Sequence, residues 1–312
     1  MKRLTGRSLT PLDTPLIIHS RELDIDGGYT IESDMELLGT ALQTKSCIVE
    51  RLQLHYFSFQ VVEFTNALKS RDCTLKTLHL YENRLGVEDA RELAMVLRQN
   101  ESMDTLILNQ CEIDCEAIKA LVGGLEGNTT LKSINLWDNR IGDEGAKALA
   151  EAIETYGTQL QTLNLWGNKI GNEGAVAFAE LLRNNQSAMR DLILVYNEIG
   201  DEGGDDLVDA LEQNEGIRNL DLFGNPLDQA IIMDVYCLIN DPLRCSYEGG
   251  LNKDDDRGRR SENALEGLSI DKSCLVSLGG AEGATAADTE STASPTGVGE
   301  LSGCCWTDVV SS

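Results

Sequence analysis

The side chains in this sequence that could do chemistry are three histidines, nine cysteines, a glycine-containing motif and a recurring set of aromatic residues. His19, His55 and His79 all lie near the N-terminus. No serine or cysteine with nucleophile context accompanies them, so covalent acyl transfer lacks its parts. Cys111 and Cys115 have a spacing that suits zinc, yet no histidine or CxxC pair lies in register with them. The IGDEG and IGNEG motifs could each present a helix N-terminus to a phosphate, but Asp143 and Glu144 would repel it. These features predict no catalytic residues, no metal site and no cofactor. Tyr81, Trp137, Trp166, Tyr196 and Phe223 remain, with Arg84, Asp138, Arg140 and Lys169 beside them. Large aromatics flanked by mixed charge are the composition of a protein-binding hot spot.

The elements that position these residues repeat. LKSINLWDNRIGDEGAKALAEAIETYG, starting at Leu131, is followed by the start of its copy, QLQTLNLWGNKIG. Leu131, Ile134, Leu136, Asn139 and Ile141 recur as Leu160, Leu163, Leu165, Asn168 and Ile170, an offset of 29. The first position of the unit forms a ladder of Ser20, Val49, Leu75, Met103, Leu131, Leu160, Met189 and Ile217, with steps of 26 to 29. Each unit opens with a short strand whose alternation points leucines inward, and one strand per repeat stacks in parallel. An asparagine slot follows, filled by Asn83, Asn139, Asn168, Asn197 and Asn225, with Cys111 and Phe57 as variants. A helix closes the unit, clearest at Ala146, Leu149, Ala150 and Ile153. Asp143, Asn172 and Asp201 read as its N-caps, with Glu144, Glu173 and Glu202 in the first turn.

The residues immediately after the last strand leucine are His55, Tyr81, Asn109, Trp137, Trp166, Val195 and Phe223. Stacked repeats place Trp137 and Trp166 on neighbouring rungs, about 5 Å apart. The ends read as caps. Residues 20–42 form a degraded first unit with Gly28 in the asparagine slot. Ile231, Ile232, Val235 and Ile239 form the stripe of a last helix that ends near Asp241-Pro242. Three domains result: an N-terminal extension over 1–19, a repeat solenoid over 20–250, and a tail over 251–312 rich in Gly, Ser, Ala and Thr that reads as mostly disordered. The tail holds an apolar island from Leu265 to Leu278, candidate phosphorylation sites at Ser261 and Ser294, and the pair Cys304-Cys305.

The formal net charge of -26 makes nucleic acid and anionic membranes poor partners and favours a partner with a basic surface. The opening residues have no apolar run before Pro11 and Asp13, which argues against a signal peptide. An odd number of cysteines without paired spacing points to free thiols in the cytoplasm, with the nucleus as the alternative. Sequons at Asn100, Asn128 and Asn185 each read as falling at the same place in the repeat, the turn from helix to next strand, where asparagine serves the backbone.

The full unit, LxxLxLxxNxIGxEGAxALAxxI, resembles the ribonuclease-inhibitor-like subfamily of leucine-rich repeats over roughly residues 20–240. That subfamily includes the ribonuclease inhibitor, the activators of the Ran GTPase and the sensor halves of NOD-like receptors. The resemblance implies an α/β horseshoe of about eight repeats, with strands on the concave face and helices on the convex one. For function it implies a non-catalytic scaffold holding a protein or peptide on the concave face. The alternative it raises is a Ran-type activator of a small GTPase. The longest acidic run after the repeats is Asp254 to Asp256, short of the acidic tail usual in that group. No GxxxxGK[ST] occurs in the chain.

Overall fold

A computed structural model describes residues 1–4, 9–26, 32–55, 62–70 and 72–240. All of them belong to one compact unit, Met1–Leu251, distinct from a second, Asn252–Ser312. Phe57, Gly28, Asp241-Pro242 and the tail features named above lie outside the described residues.

Among the described residues nine parallel strands follow one another in chain order, each hydrogen-bonded to the next. They are β1 (Lys2–Leu4), β2 (Glu22–Asp26), β3 (Arg51–His55), β4 (Thr77–Tyr81), β5 (Thr105–Ile107), β6 (Ser133–Asn135), β7 (Thr162–Asn164), β8 (Asp191–Ile193) and β9 (Asn219–Asp221). A helix follows each strand: α1 (Thr14–Ile18), α2 (Glu32–Leu42), α3 (Val62–Lys69), α4 (Val87–Gln99), α5 (Cys115–Val122), α6 (Gly142–Tyr156), α7 (Asn172–Arg183), α8 (Asp201–Gln213) and α9 (Gln229–Asn240). Strands stack about 4.8 Å apart, whereas packed helices need about 8–10 Å. The sheet therefore lies on the inner, concave side and the helices on the outer one.

The first-position ladder is buried at every rung from Ser20 to Ile217, and the strand leucines and isoleucines lie beside it in one continuous core. Small residues let the helices close on that core. A Cβ on Gly174 would sit 2.6 Å from Ile170 Cγ2 and 2.8 Å from Asp143 Oδ1, so only glycine fits there. The last helix buries Ile231 and Val235 and half-buries Ile232 and Ile239, as a terminal element with one neighbour must. β1 is an addition at the other end. The repeat ladder begins at Ser20, but Lys2–Leu4 pairs with Leu23, Asp24 and Ile25 and covers the first rung.

Asparagines, most of them buried, tie the later rungs to the ones before them. Asn197 donates through Nδ2 to Leu165 O and Leu194 O, both at 2.9 Å. Its Oδ1 accepts from Asn168 N at 2.9 Å and Ile170 N at 3.1 Å. Asn83, Asn139, Asn168 and Asn225 each donate in the same way to the preceding rung's carbonyl. Cys111 fills the slot because its Sγ still donates to Leu80 O, at 3.2 Å, while Leu85 N finds Cys111 O instead of a side-chain amide.

Two local expectations are corrected. Asp143, Asn172 and Asp201 do not cap their own helices. Asp143 Oδ1 accepts from Gly171 N and Gly174 N at the start of α7; Asn172 Oδ1 accepts from Gly200 N, and Asp201 Oδ1 from Asp228 N. Each sits inside its helix's first turn, from which a short side chain reaches the neighbouring helix rather than its own free N–H groups. Asp114, one position earlier in its repeat, where Gly142, Gly171 and Gly200 stand, does cap its own helix, accepting from Glu116 N and Ala117 N. Nor do the three sequons share one repeat position. Asn100 and Asn128 turn inward to bond Leu68 O and Leu97 O, whereas Asn185 sits one residue out of register, exposed and with φ +52°.

Replacing Asn197 with alanine strips partners from two buried N–H groups and a carbonyl, and should cost about 3 kcal/mol or more in denaturant unfolding. Asn197→Cys, which keeps a donor as Cys111 does, should recover roughly half of that loss. Equal stability for the two variants would show that the donor contributes nothing.

Candidate protein-binding face

On the inner face every rung from β4 to β9 leaves its strand through the same backbone turn. The second residue after the last strand leucine has positive φ throughout: Glu82, Gln110, Asp138, Gly167, Tyr196 and Gly224 lie between +51° and +75°. The residue before this turn is the one whose side chain stands at the edge of the sheet. Trp137 and Trp166 hold that place, half-buried, with ring centroids 4.9 Å apart.

The next rung departs from the expected row. Val195 is buried, and Tyr196, at the left-handed position, supplies the ring instead. Tyr196 is 53% exposed and meets Trp166 edge-on at 5.4 Å and Phe223 at 5.6 Å. Its ring lies over Gly224, where a Cβ would come within 2.6 Å of it. A bulky side chain at positive φ is uncommon and costs about 1 kcal/mol or more. The result is one contiguous row, Trp137, Trp166, Tyr196 and Phe223. Tyr81 does not join it, because Asn109 intervenes and is buried.

The strand residue two places before each ring fixes the turn. Asn135 Oδ1 accepts from Trp137 N, Asn164 Oδ1 from Trp166 N, and Asp221 Oδ1 from Phe223 N, all at 3.0 Å. Sequence reasoning passed over these three residues. The signal was present as Asn-Leu-Trp, Asn-Leu-Trp and Asp-Leu-Phe at equivalent places in three repeats.

Charges rim the row unevenly. Glu112 pairs with both Arg84 at 3.7 Å and Arg140 at 3.8 Å, and Asp138 accepts from Gln110 at 2.8 Å. Lys169, at φ +59°, is exposed. Asp191 and Asp221 lie half-buried on the strand floor beside the rings.

Tyr81 belongs to a second cluster toward the N-terminus. It meets His55 edge-on at 5.4 Å and His79 at 6.1 Å. His55 Nε2 lies 3.2 Å from Asp24 Oδ1, and Asp24 also pairs with Arg3 at 3.1 Å. Burial, with His55 and Arg51 nearby, lowers the pKa of His79 to about 4 and keeps it neutral. Burial likewise raises the Cys111 thiol to about 12, leaving it a poor metal ligand. Among the described residues no group of three or more potential ligands gathers to hold a metal ion, and no helix is long and apolar enough to cross a membrane.

Parallel strands, a helix per rung and an asparagine ladder define a leucine-rich repeat solenoid. The Leucine Rich repeat family model matches residues 127–150, 158–179 and 187–208. The chain carries leucine-rich repeats, and they are similar to those of the ribonuclease inhibitor and of NACHT, LRR and PYD domains-containing proteins. It is 30% identical to the ribonuclease inhibitor of Sus scrofa over 162 residues, half of this chain and 36% of that one. It is 34% identical to NACHT, LRR and PYD domains-containing protein 5 of Mus musculus over 121 residues, 38% of this chain and 10% of that one. The chain thus spans about a third or less of these relatives' length. Among solved structures, the actin-binding site 2 of leiomodin-1 aligns with 49% of this chain and 88% of its own, at 24% identity and a TM-score of 0.42.

Two predictions follow from this geometry. Tyr196→Gly relieves the left-handed backbone as it removes a largely exposed ring, so its unfolding free energy should stay within about 1 kcal/mol of wild type. A larger loss would make Tyr196 a structural wedge. For His79, the unfolded state gains a proton from about pH 6.5 downward, while the folded state resists protonation until about pH 4. Stability is therefore full above pH 6.5 and falls on acidification to pH 4, by up to about 3 kcal/mol from this group. His79→Phe should flatten that part of the pH profile; an unchanged slope would show that His79 does not resist protonation in the fold.

Proposed function

We propose that this chain is a non-catalytic scaffold that holds a protein or peptide partner on its inner face, against the row Trp137, Trp166, Tyr196 and Phe223. The observation that carries the reading is the row itself: four rings in mutual contact, none in the core, displayed at one edge of an open sheet face. Contiguous exposed apolar surface on a folded protein marks a contact site. Asp138, Asp191, Glu198 and Asp221 near the row, on a chain of net charge -26, favour a partner with a basic surface. The ribonuclease inhibitor relative, by its name, acts on another protein, which fits this class of role. Five free cysteines among the described residues, three of them buried, fit a reducing cytoplasm. Arg84, Arg140 and Lys169 then act as rim residues that set orientation, and Tyr81 lies outside the central contact.

The test is a Trp137→Ala/Trp166→Ala double variant. The rings are half-buried and stack on each other, so the fold should lose about 1–3 kcal/mol in total. Two core tryptophans would cost about 3–5 kcal/mol each. Capture of partners from extract should fail with the folded double variant, because hot-spot aromatics carry about 2 kcal/mol or more each. Capture that survives the change sinks the reading. The same samples, mixed with a panel of small GTPases, should leave single-turnover GTP hydrolysis unaccelerated. An increase of about 10³ to 10⁵ would make the chain a GTPase activator instead.

A further inference from the structure

Cys47 and Cys73 occupy one column of the solenoid on adjacent rungs. The step from Val49 to Leu75 is the shortest of the ladder, 26 residues, and the turns that lead into the two cysteines repeat at that offset. Thr44 N donates to Ala41 O and Cys47 N to Thr44 O; Ser70 N donates to Ala67 O and Cys73 N to Ser70 O. Exposed and buried residues alternate identically from Ser46 to Glu50 and from Asp72 to Lys76, with the cysteine as the first buried member of each run. The strands that follow keep the same register, Arg51 against Thr77. Two copies of one backbone stacked in this way hold the cysteine Cα atoms one rung apart.

The rungs are close at this level. Their spacing runs from about 4.8 Å at the strands to about 8–10 Å at the helices. Thr74, next to Cys73, donates through Oγ1 to Val49 O at 2.8 Å, and Lys76 N and Thr77 N share Glu50 O at 2.7 and 2.9 Å. The cysteines therefore stand at the strand end of that range, and a disulfide needs Cα atoms about 4.4–6.8 Å apart. Burial raises the pKa of the Cys47 thiol, a backbone hydrogen bond at Val49 lowers it, and Cys73 raises it again. The effect of one charge on another group's pKa is strongest within about 4–6 Å, so the two thiols are neighbours. Both are free and buried, but Ser46, Ile48, Asp72 and Thr74 beside them are exposed, so a small reagent needs only a local opening of the turn to reach them. Packing does not demand sulfur at this place, since later rungs fill it with Glu101, Thr129, Thr158, Ser187 and Glu215.

We propose that Cys47 and Cys73 form a redox-sensitive pair that a small-molecule disulfide converts into a covalent staple between two rungs. One cysteine, as its thiolate, attacks a sulfur of the small disulfide; that S–S bond breaks, and one small thiolate leaves and takes a proton from solvent. The other cysteine gives its proton to solvent and attacks the protein-side sulfur of the mixed disulfide, and the second small thiolate leaves and is protonated. Two protein thiols are oxidised by two electrons, and one disulfide is reduced to two thiols. The staple closes a loop of one repeat and removes conformational freedom from the unfolded chain, so the oxidised form is the more stable.

Incubating the full chain with glutathione disulfide, blocking the remaining thiols with N-ethylmaleimide in denaturant and mapping the peptides tests this. A linked Cys47–Cys73 peptide should appear, and the melting temperature should rise by at least about 3 °C and return on adding dithiothreitol. Cys47→Ser and Cys73→Ser should fold, because hydroxyl side chains stand in the same column at Thr158 and Ser187, and each should lose the rise. Absence of the linked peptide, or a Cys47 linked instead to another cysteine, overturns the proposal. So does a link that leaves melting unchanged or lower, and so does a rise that survives either serine change.

Discussion

The fold depends on one short side-chain donor per turn. A parallel solenoid breaks its sheet hydrogen bonding wherever the chain leaves a strand, and those N–H and carbonyl groups are buried by the next rung. From β4 to β9 the asparagine slot, with Cys111 standing in at β5, resolves this by donating to the preceding carbonyl and, in the middle repeats, accepting the preceding N–H groups. A buried unpaired backbone group costs about 1–3 kcal/mol, so the ladder is a condition for stacking at all. Its geometry requires a left-handed residue just before the slot. That requirement in turn determines where the aromatic side chains stand.

The inner face is therefore a by-product of the same turn. The ring residue precedes the left-handed position, and in three rungs its N–H is held by an Asn or Asp two places earlier. Only at the β8 rung does the ring move onto the left-handed position itself, at Tyr196. The alternative that the rings only pack along the row is also partly realised, since they touch one another. Contact and display coexist because, among the described residues, the row has neighbours on its sides and none above it.

Much of this was legible in the sequence because burial is periodic. The first-position ladder, the strand leucines and the asparagine slot all follow from apolar spacing, and the register they give is that of the sheet. Other features are set by where a side chain points. Asp143 and Asn172 look like helix caps by composition, but a residue within the first turn faces the neighbouring helix. Val195 and Tyr196 could be ranked only by knowing which one takes the left-handed backbone. Lys2–Leu4 carries too little apolar pattern to announce a strand; the edge of β2 recruits it by backbone pairing. The turn-fixing role of Asn135 and Asn164 was hidden because a strand asparagine reads as a solvated residue until its oxygen is seen to be occupied.

Each junction between the later repeats is latched twice, in opposite directions. On the inner side Asn197 reaches back 32 residues to Leu165 O. On the outer side Asp143 reaches forward 28 and 31 residues to Gly171 and Gly174. Both reaches are about one period long, so the chain obeys a copying rule. Duplicating or excising a whole 28- or 29-residue block recreates both latches at the new seam, and the array can lengthen or shorten by replication slippage without relearning how to fold. Losing a single residue between the asparagine and the acidic position moves one latch relative to the other. Lineages of such a protein should therefore differ in the number of repeats far more readily than in the length of any one of them.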